Sequence, residues 1–216
     1  MFPCNRLEEI TSNPSDFKLL EVMPLAKNMH CYDMQLVGDE VDVIVTDVET
    51  TGYSSEKDKM IELGAVKCLF SPTKKQITKV VSALSQLESP GFALPEEIIN
   101  ITGITDDVLD GQSFDDDEVN EFFSGDPIVI AHNAKFDRNF IEKRFGKLKN
   151  LRWGCSIKDI NWSELGFEGN KLEYLNLKLG YFYDGHRATT DCLAVLQLLF
   201  SEPPAQEGVL LTSPRN

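Results

Sequence analysis

The chain has 216 residues, of which 42% are hydrophobic and 26% charged, a composition that favours one globular α/β domain and leaves little room for a second. Its formal net charge of −14 argues against a protein that coats nucleic acid through broad electrostatic contact. The charge does not exclude an enzyme whose positive charge comes from bound divalent cations. Because the sequence has neither a membrane-spanning apolar run nor the pattern of a secretory signal, we expect a cytoplasmic protein.

The patterning along the chain divides it into three parts. Residues 1–40 form a weakly patterned N-terminal extension, in which a short helix is predicted within residues 12–23, beginning near Ser15 or Asp16. Residues 41–200 carry the strand and helix patterns of one folded domain. Residues 201–216 contain three prolines and are predicted to be a flexible tail.

The folded part is predicted to begin with three neighbouring strands. Residues 41–47 are rich in β-branched side chains, and two further strands are predicted at residues 61–70 and 77–87, joined by a turn at SPTKK. Short links between consecutive strands are typical of antiparallel pairing. The sequence therefore predicts an antiparallel start to a sheet.

The second half of the domain alternates between helices and strands. A short helix is predicted to open at Pro95 and to end at Gly103. Between positions 106 and 121 there are eight acidic residues and no basic one, which predicts a solvated loop and helix face. The remaining elements are a buried strand in PIVIAHN (127–133) that feeds a helix, a strand at 151–155, a helix at 171–179 and a last helix from about 189 to 200.

Two acids mark the end of the first predicted strand. Asp47 and Glu49 are two residues apart, so the alternation of a strand points both side chains to the same face. Two carboxylates so close repel each other unless a cation lies between them. The string DVETTG is equally consistent with an ordinary surface turn when it is considered alone.

Two later strings place further acids at the start of helices. HNAKFD (132–137) lies at a strand-to-helix switch, with Asp137 in the first turns of the helix and Asn133 suited to capping it. HRATTD (186–191) places His186 in the loop before the last helix and Asp191 inside that helix. An acid near a helix start is common in proteins without any site, because it stabilises the helix dipole.

The three strings together resemble the motifs of the DEDDh exonucleases, a group that contains the proofreading subunit and domains of bacterial replicative polymerases, ribonuclease T and oligoribonuclease. DVETTG is similar to the first motif, HNAKFD to the second and HRATTD to the third, and the connector INITGITDDVL is similar to that of the replicative proofreading group. The resemblance spans about residues 41–200, which are thus identified as an exonuclease domain. It implies a ribonuclease H-like α/β fold, with a mixed five-stranded sheet flanked by helices.

The resemblance also implies a catalytic set. The four acids are Asp47, Glu49, Asp137 and Asp191, and they would hold two divalent cations, Mg²⁺ or Mn²⁺. His186 is the characteristic histidine, and an imidazole with an ordinary pKa of about 6.5 suits a general base near neutral pH. The implied product is a nucleoside 5′-monophosphate.

Substrate contacts are predicted around two of the motifs. In the resembled family the residues after the acidic pair lie against the terminal nucleotide, which here would be Thr50, Thr51, Gly52 and Tyr53. Asn133 and Phe136 are further candidates, although helix capping and core packing explain them as well. His132 is predicted to be structural. Arg187 could meet a phosphate or face solvent.

A substrate-guiding basic patch is a further hypothesis, and a charged face of an exposed helix is the alternative. It would consist of Lys135, Arg138, Lys143, Arg144, Lys147, Lys149 and Arg152.

The function predicted from these features is a 3′→5′ exonuclease acting on single-stranded or frayed 3′ ends of DNA, in proofreading or repair, with association to a polymerase in trans. Two alternatives stay open. One is an exoribonuclease that trims RNA or short oligonucleotides, because the motifs do not read the 2′-hydroxyl. The other is a non-catalytic, polymerase-associated binding subunit, against which the complete set of acids and His186 argues.

Overall fold

The computed structural model of the chain describes residues 6–200. Within this part, the strands are β1 (Glu21–Val22), β2 (Val41–Thr50), β3 (Met60–Ser71), β4 (Gln76–Leu87), β5 (Ile128–Ala131), β6 (Arg152–Cys155) and β7 (Tyr181–Phe182). The α-helices are α1 (Leu7–Ser12), α2 (Pro24–Lys27), α3 (Glu96–Thr102), α4 (Asp106–Leu109), α5 (Asp116–Phe122), α6 (Lys135–Arg144), α7 (Leu172–Leu179) and α8 (Ala188–Phe200). Short 3₁₀ helices lie at Pro14–Asp16 and Gly146–Leu148.

Five of the strands form one mixed sheet in the order β4-β3-β2-β5-β6. β2 and β3 are antiparallel, as are β3 and β4, whereas β5 runs parallel to both β2 and β6. The predicted antiparallel start and the predicted mixed five-stranded sheet are therefore confirmed. β2 is longer than predicted and continues to Thr50, because Asp47, Val48 and Glu49 all pair with residues of β3.

Helices cover both faces of this sheet, and alternate residues of β2 supply both cores. Val43 and Val45 pack with Val195, Leu196 and other residues of α8 on one face. On the opposite face Ile44 packs with apolar residues of α5 and α6, including Phe140 and Ile141 of α6. The site residues lie where the sheet meets its two layers of helices.

The N-terminal segment differs from the prediction. The α-helix predicted within residues 12–23 does not form, since α1 ends at Ser12 and α2 begins only at Pro24. Pro14 occupies the first position of a 3₁₀ turn, which suits its fixed backbone angle, and residues 17–20 have no helical structure. The segment then enters β1, which pairs in parallel with β7, so tertiary pairing outweighs local helix propensity.

Most of the later elements agree with the prediction. α3 follows Pro95 and ends at Gly103, whose φ of 68° is the left-handed conformation that glycine adopts readily. The acidic stretch forms α4 and α5, and the Asp115 side chain caps α5 by accepting the N–H groups of Asp117 and Glu118.

One capping prediction is wrong. The residue that caps α6 is Ala134, and Asn133 makes no side-chain cap. Asn133 instead has a φ of 73°, and its carbonyl accepts the N–H of Phe136.

None of the helices in residues 6–200 combines the length and the apolar character that a membrane span requires. The predicted tail at 201–216 lies outside the described residues.

Candidate active site

Asp47 and Glu49 lie on β2, on the face against which α8 packs. Their partners on β3 are Gly64, opposite Asp47, and Glu62, opposite Glu49. A Cβ atom at Gly64 would lie only 2.4 Å from the carbonyl carbon of Ala188. Glycine therefore lets the first turn of α8 approach the strand closely, which brings the third motif to the acidic pair.

The third motif contributes an acid and a histidine to this face. The backbone N–H of His186 donates to Oδ2 of Asp191 at 2.9 Å, which ties the loop to the first turn of α8. One ligand atom each of Glu49, His186 and Asp191 lies within 4.8 Å of the other two. The imidazole Nε2 of His186 is also 3.9 Å from Oε1 of Glu173, at the start of α7. The side chain of His186 remains 54% exposed.

Asp137 reaches the same cleft from the first turn of α6. It is only 2% exposed, and its Oδ2 has no hydrogen-bond partner within the described part of the chain. A buried carboxylate oxygen without a partner is costly, so most such atoms in proteins are bonded. An unpaired acidic oxygen among other acids is the donor that a hard divalent cation prefers, and the residues present therefore fit the implied metal ions.

The four acids perturb one another electrostatically. Burial, followed by the carboxylates of Asp137, Asp191 and Glu49, raises the pKa of Asp47 well above its ordinary value. Burial and the nearby Asp191 raise the pKa of Glu49 to about 8. Burial also raises the pKa of Asp137 to about 7 and that of Asp191 to about 6. The acids cannot all ionise together near neutral pH without added positive charge, which divalent cations would supply.

A fifth acid lies beside these four and was not predicted from the sequence. Glu62 is 1% exposed and pairs with Arg187, whose Nε and Nη2 donate to its carboxylate at 2.9–3.2 Å. The signal that could have found it is a lone acid between Ile61 and Leu63 in an apolar strand. Arg187 therefore pairs with a buried acid of the same chain, although half of its side chain is exposed to solvent.

Tyr183 is a second residue that the sequence did not single out. Its hydroxyl is buried and has no well-aligned hydrogen-bond partner within residues 6–200. Burial, with the carboxylates of Asp191 and Glu173, raises its pKa far above the ordinary value. The phenol is therefore neutral in the working pH range and lines the cleft beside Asp191.

The residues after the acidic pair mainly shape their own loop. The Thr50 hydroxyl donates to the Gly52 carbonyl at 2.6 Å, and the Thr51 hydroxyl accepts the N–H of Lys59 at 3.0 Å. A Cβ atom at Gly52 would lie 2.6 Å from the Asp58 carboxylate, so the glycine is required by the loop itself. Tyr53 differs from its neighbours, because 87% of it is exposed.

The second motif divides between structural and exposed side chains. His132 accepts the Ser156 hydroxyl hydrogen at Nδ1 and donates from Nε2 to the Asn170 carbonyl, both at 2.7 Å. Burial lowers the pKa of this imidazole, in agreement with the structural role predicted for it. Phe136 is half-buried against Phe140, whereas the Asn133 side chain is exposed.

The predicted basic patch is largely paired within the chain. Within residues 6–200, four of its seven residues form five ion pairs, which are Arg138–Glu142, Lys143–Glu56, Arg144–Glu88, Arg144–Asp116 and Arg152–Asp126. In the described part of the chain, Lys135, Lys147 and Lys149 have no acid within ion-pair distance. A continuous basic ridge is therefore not formed, and the alternative of a charged surface face describes most of these residues.

A mixed sheet in this order, with helices on both faces, is the arrangement of a ribonuclease H-like fold. The model of the exonuclease (RNase T) family matches residues 44–199. The chain belongs to this family, and the family predicted from the three motifs is confirmed.

Curated relatives include PolC-type DNA polymerases III. The protein of Clostridium perfringens is 31% identical over 164 residues, which cover 73% of this chain and 11% of the relative. The protein of Listeria innocua is 35% identical over 185 residues, covering 82% of this chain and 12% of the relative. The chain thus corresponds to a small part of these long proteins.

Solved structures share the fold at low identity. An exonuclease I structure superposes with a TM-score of 0.61 and 15% identity, covering 73% of this chain and 40% of that chain. Exonuclease X in complex with 5′ overhanging duplex DNA gives a TM-score of 0.55 and 20% identity, covering 73% of this chain and 88% of that chain. The predicted ribonuclease H-like fold is confirmed.

Proposed function

We propose that the chain is a 3′→5′ exonuclease that removes nucleoside 5′-monophosphates one at a time from the 3′ end of DNA. The observation that carries the proposal is the cleft that gathers Asp47, Glu49, Asp137 and Asp191 from β2, α6 and α8, with a buried oxygen of Asp137 that has no hydrogen-bond partner in the described part of the chain. A cluster of this kind suits phosphodiester hydrolysis, because a reaction at a polyanion needs concentrated positive charge at the phosphorus.

The four acids would hold two divalent cations, Mg²⁺ or Mn²⁺. When bound, such ions offset the carboxylate charge, lower the pKa of water and stabilise the departing sugar oxygen. The protein's own part is to place oxygen donors from three different elements within one buried cleft. The depth of Asp137 and the partial burial of Asp47 and Glu49 limit competition from bulk water.

His186 is proposed as the general base. Its imidazole is exposed at the rim and close to Glu49 and Asp191, so it can take the proton of an attacking water and pass it to solvent. A bond forms between the water oxygen and phosphorus, the bond from phosphorus to the 3′ oxygen of the preceding nucleotide breaks, and that oxygen takes up a proton from solvent. The products are a nucleoside 5′-monophosphate and a strand shortened by one residue with a free 3′-hydroxyl.

Single-stranded or frayed DNA is proposed as the substrate. Support comes from the relatives, which are DNA polymerases III of the PolC type, and from the exonuclease X structure, which contains DNA. Because the matched segment forms part of a polymerase in these relatives, we also propose association with a polymerase in trans, in proofreading or repair. Cytoplasmic localisation remains a prediction.

Tyr53, Asn133 and Phe136 are proposed to contact the terminal nucleotides, together with the backbone around Thr50, Thr51 and Gly52. Tyr53 has the exposed aromatic surface needed to stack on a base.

The test is the degradation of single-stranded DNA and RNA of the same sequence, labelled at either the 5′ or the 3′ end, with Mg²⁺, Mn²⁺ or EDTA. We expect a ladder that shortens from the 3′ end of DNA, stops in EDTA and is absent in Asp47→Asn. Asp42→Asn is the matched control, because it makes the same change on the same strand at a position that pairs with Leu69, far from the acids.

Each other outcome has a definite meaning. Shortening from the 5′ end would contradict the proposed direction, and faster degradation of RNA would favour the exoribonuclease. No metal-dependent shortening of any substrate would favour the non-catalytic subunit, for which co-purification with a polymerase is the next test.

A further inference from the structure

Glu62 is an acid buried beneath the proposed site, and the proposed reaction gives it no role. It is 1% exposed and lies on β3 directly opposite Glu49. A buried carboxylate is strongly unfavourable unless it is paired and hydrogen-bonded. The partners that satisfy Glu62 therefore indicate what the residue does.

The partners of Glu62 are the two residues that follow His186. Arg187 donates two nitrogens, with Nε at 3.1 Å from Oε2 and Nη2 at 2.9 Å from Oε1. The backbone N–H of Ala188, at the first residue of α8, donates to Oε2 at 3.1 Å. One rigidly placed carboxylate on the central part of the sheet thus holds both a side chain and a backbone group of the loop's downstream end.

The upstream end of the same loop is held as well. β7 leads directly into the loop at residues 183–187, and it pairs with β1: the N–H of Glu21 donates to the carbonyl of Gly180, and that of Met23 to the carbonyl of Phe182, both at 3.0 Å. Between these anchors, His186 adopts a φ of 63°, a left-handed conformation that is unfavourable for a residue with a Cβ atom. A strained residue keeps such a conformation only when its surroundings enforce it.

We propose that Glu62 and Arg187 are positioning residues for His186, a paired charge that fixes the loop so that the imidazole stays beside Glu49 and Asp191. This inference rests on the proposed function, because it assigns His186 a proton transfer in which placement decides the rate. Arg187 keeps the buried carboxylate of Glu62 paired, and such a pair adds little net stability compared with apolar side chains of similar size. Its fork geometry is instead suited to fixing orientation, since two parallel bonds leave little freedom to rotate.

The chain contains a matched control for this pair. Arg144 on α6 donates Nε and Nη2 to Glu88 at 2.7–3.2 Å, which is the same two-nitrogen geometry away from the cleft. Glu88→Gln therefore weakens an equivalent pair without touching the histidine loop.

The kinetic experiment compares Glu62→Gln, Arg187→Met, Arg187→Lys and Glu88→Gln with the wild type on single-stranded DNA. We expect kcat to fall about 10–100-fold in the first two variants, the range typical of groups that orient a catalytic ligand, with KM little changed. Arg187→Lys should recover part of the loss, because lysine keeps the charge but not the fork. Glu88→Gln should keep the wild-type kcat.

A second readout does not depend on activity. The sequence has only three histidines, so the ring signal of His186 can be assigned by NMR with one substitution at each position. In metal-free protein we expect one narrow His186 ring signal in the wild type and in Glu88→Gln, and a broadened or doubled signal in Glu62→Gln and Arg187→Met. If Glu62→Gln does not fold, Arg187→Met decides the question where urea unfolding shows that it is folded, and Arg187→Lys, which keeps a positive charge beside the buried Glu62, decides it otherwise.

The outcomes separate this inference from the proposed function. Unchanged kcat and an unchanged His186 signal in Arg187→Met would overturn the positioning role. If Glu88→Gln lowered kcat as much as Arg187→Met does, the fall would reflect a general loss of stability. That result would also overturn the positioning role. Absence of nuclease activity in the wild type would instead remove the proposed function, and the NMR comparison would then report on the loop alone.

Discussion

The cleft has two walls that are built in opposite ways. The acidic wall comes from the last residues of a paired strand and the first turn of a helix, and its deepest member, Asp137, is 2% exposed. The histidine wall is a short loop whose central residue, His186, is 54% exposed and has a φ of 63°. The groups that would fix charge are on rigid elements, whereas the group that would exchange protons with water is on an exposed loop.

The two walls also reduce stability for different reasons. The acidic wall buries several carboxyl groups, and burial raises the pKa of each and opposes ionisation. The loop concentrates backbone strain at a single residue. Substitutions that remove the charge or the strain should therefore stabilise the fold while they damage the proposed reaction.

The largest expected effect comes from removing one charge in the acidic wall. Asp137→Asn should reduce nuclease activity to the detection limit, because it removes a proposed cation ligand. The same change should raise the free energy of unfolding in EDTA by about 1–3 kcal/mol, since an amide can donate a hydrogen bond where the carboxylate oxygen has no partner. Urea unfolding and the labelled-strand assay measure the two effects. An Asp137→Asn variant that is active and less stable than the wild type would contradict the role given to the acidic wall.

The histidine wall should respond with a large loss of activity and a small gain of stability. His186→Ala should lower kcat by about 10²–10⁴-fold, the usual contribution of a general base. His186→Gly should lose the same activity but be more stable than the alanine variant by about 1 kcal/mol, because glycine adopts a positive φ without strain. Parallel thermal unfolding of the two variants measures the difference. Equal stabilities would show that the loop relaxes when the imidazole is removed.

Between pH 7 and pH 8 the pH dependence of stability should report on the acidic wall. Asp137 and Glu49 have pKa values raised to about 7 and about 8, whereas a carboxyl in the unfolded chain titrates near about 4. The folded state therefore holds protons that the unfolded state has lost, so the free energy of unfolding falls as pH rises through this window, by a few kcal/mol in all.

Thermal unfolding in EDTA between pH 7 and pH 8 tests this dependence. The range lies above most of the titration of His132 in the unfolded chain, near about 6.5, and below most of that of the buried Cys68 and Cys192 thiols. We expect Tm to fall with pH, Mg²⁺ or Mn²⁺ to restore it most at the alkaline end, and Asp137→Asn to show a shallower slope. A Tm that rises with pH would contradict the mutual repulsion of the acids.

The smallest expected effect concerns a residue that belongs to neither wall. Tyr53→Ala should weaken binding of single-stranded DNA by about 1–3 kcal/mol, the usual contribution of one stacked base, and leave stability unchanged because the side chain is exposed. Tyr53→Phe should retain the binding. Fluorescence anisotropy with an Asp47→Asn background, which prevents degradation, measures both, and equal affinities of all three proteins would remove the stacking role.

The sequence predicted the sheet because its strand patterns are encoded locally, whereas the four acids were predicted from the resemblance carried by three motifs together and stay a prediction as catalytic residues. Alternating apolar residues define β2, and Gly103 marks the end of α3. Glu62 could not be predicted in the same way, because its meaning depends on Arg187, which lies 125 positions away. Asparagine is a residue type that often caps helices. Asn133 instead adopts a left-handed backbone conformation in the turn between β5 and α6.

The pairing of β1 with β7 has a consequence for how the domain can be divided. The family match begins at residue 44, yet Glu21 and Val22 lie outside it and pair with the strand that leads to His186. Met23 and Leu25, from the same segment, are fully buried against the α8 face of the sheet. If residues 44–199 alone were transferred into another protein, β7 would lack its partner strand and the core on the α8 face would be partly uncovered. The host protein would have to supply a substitute for both.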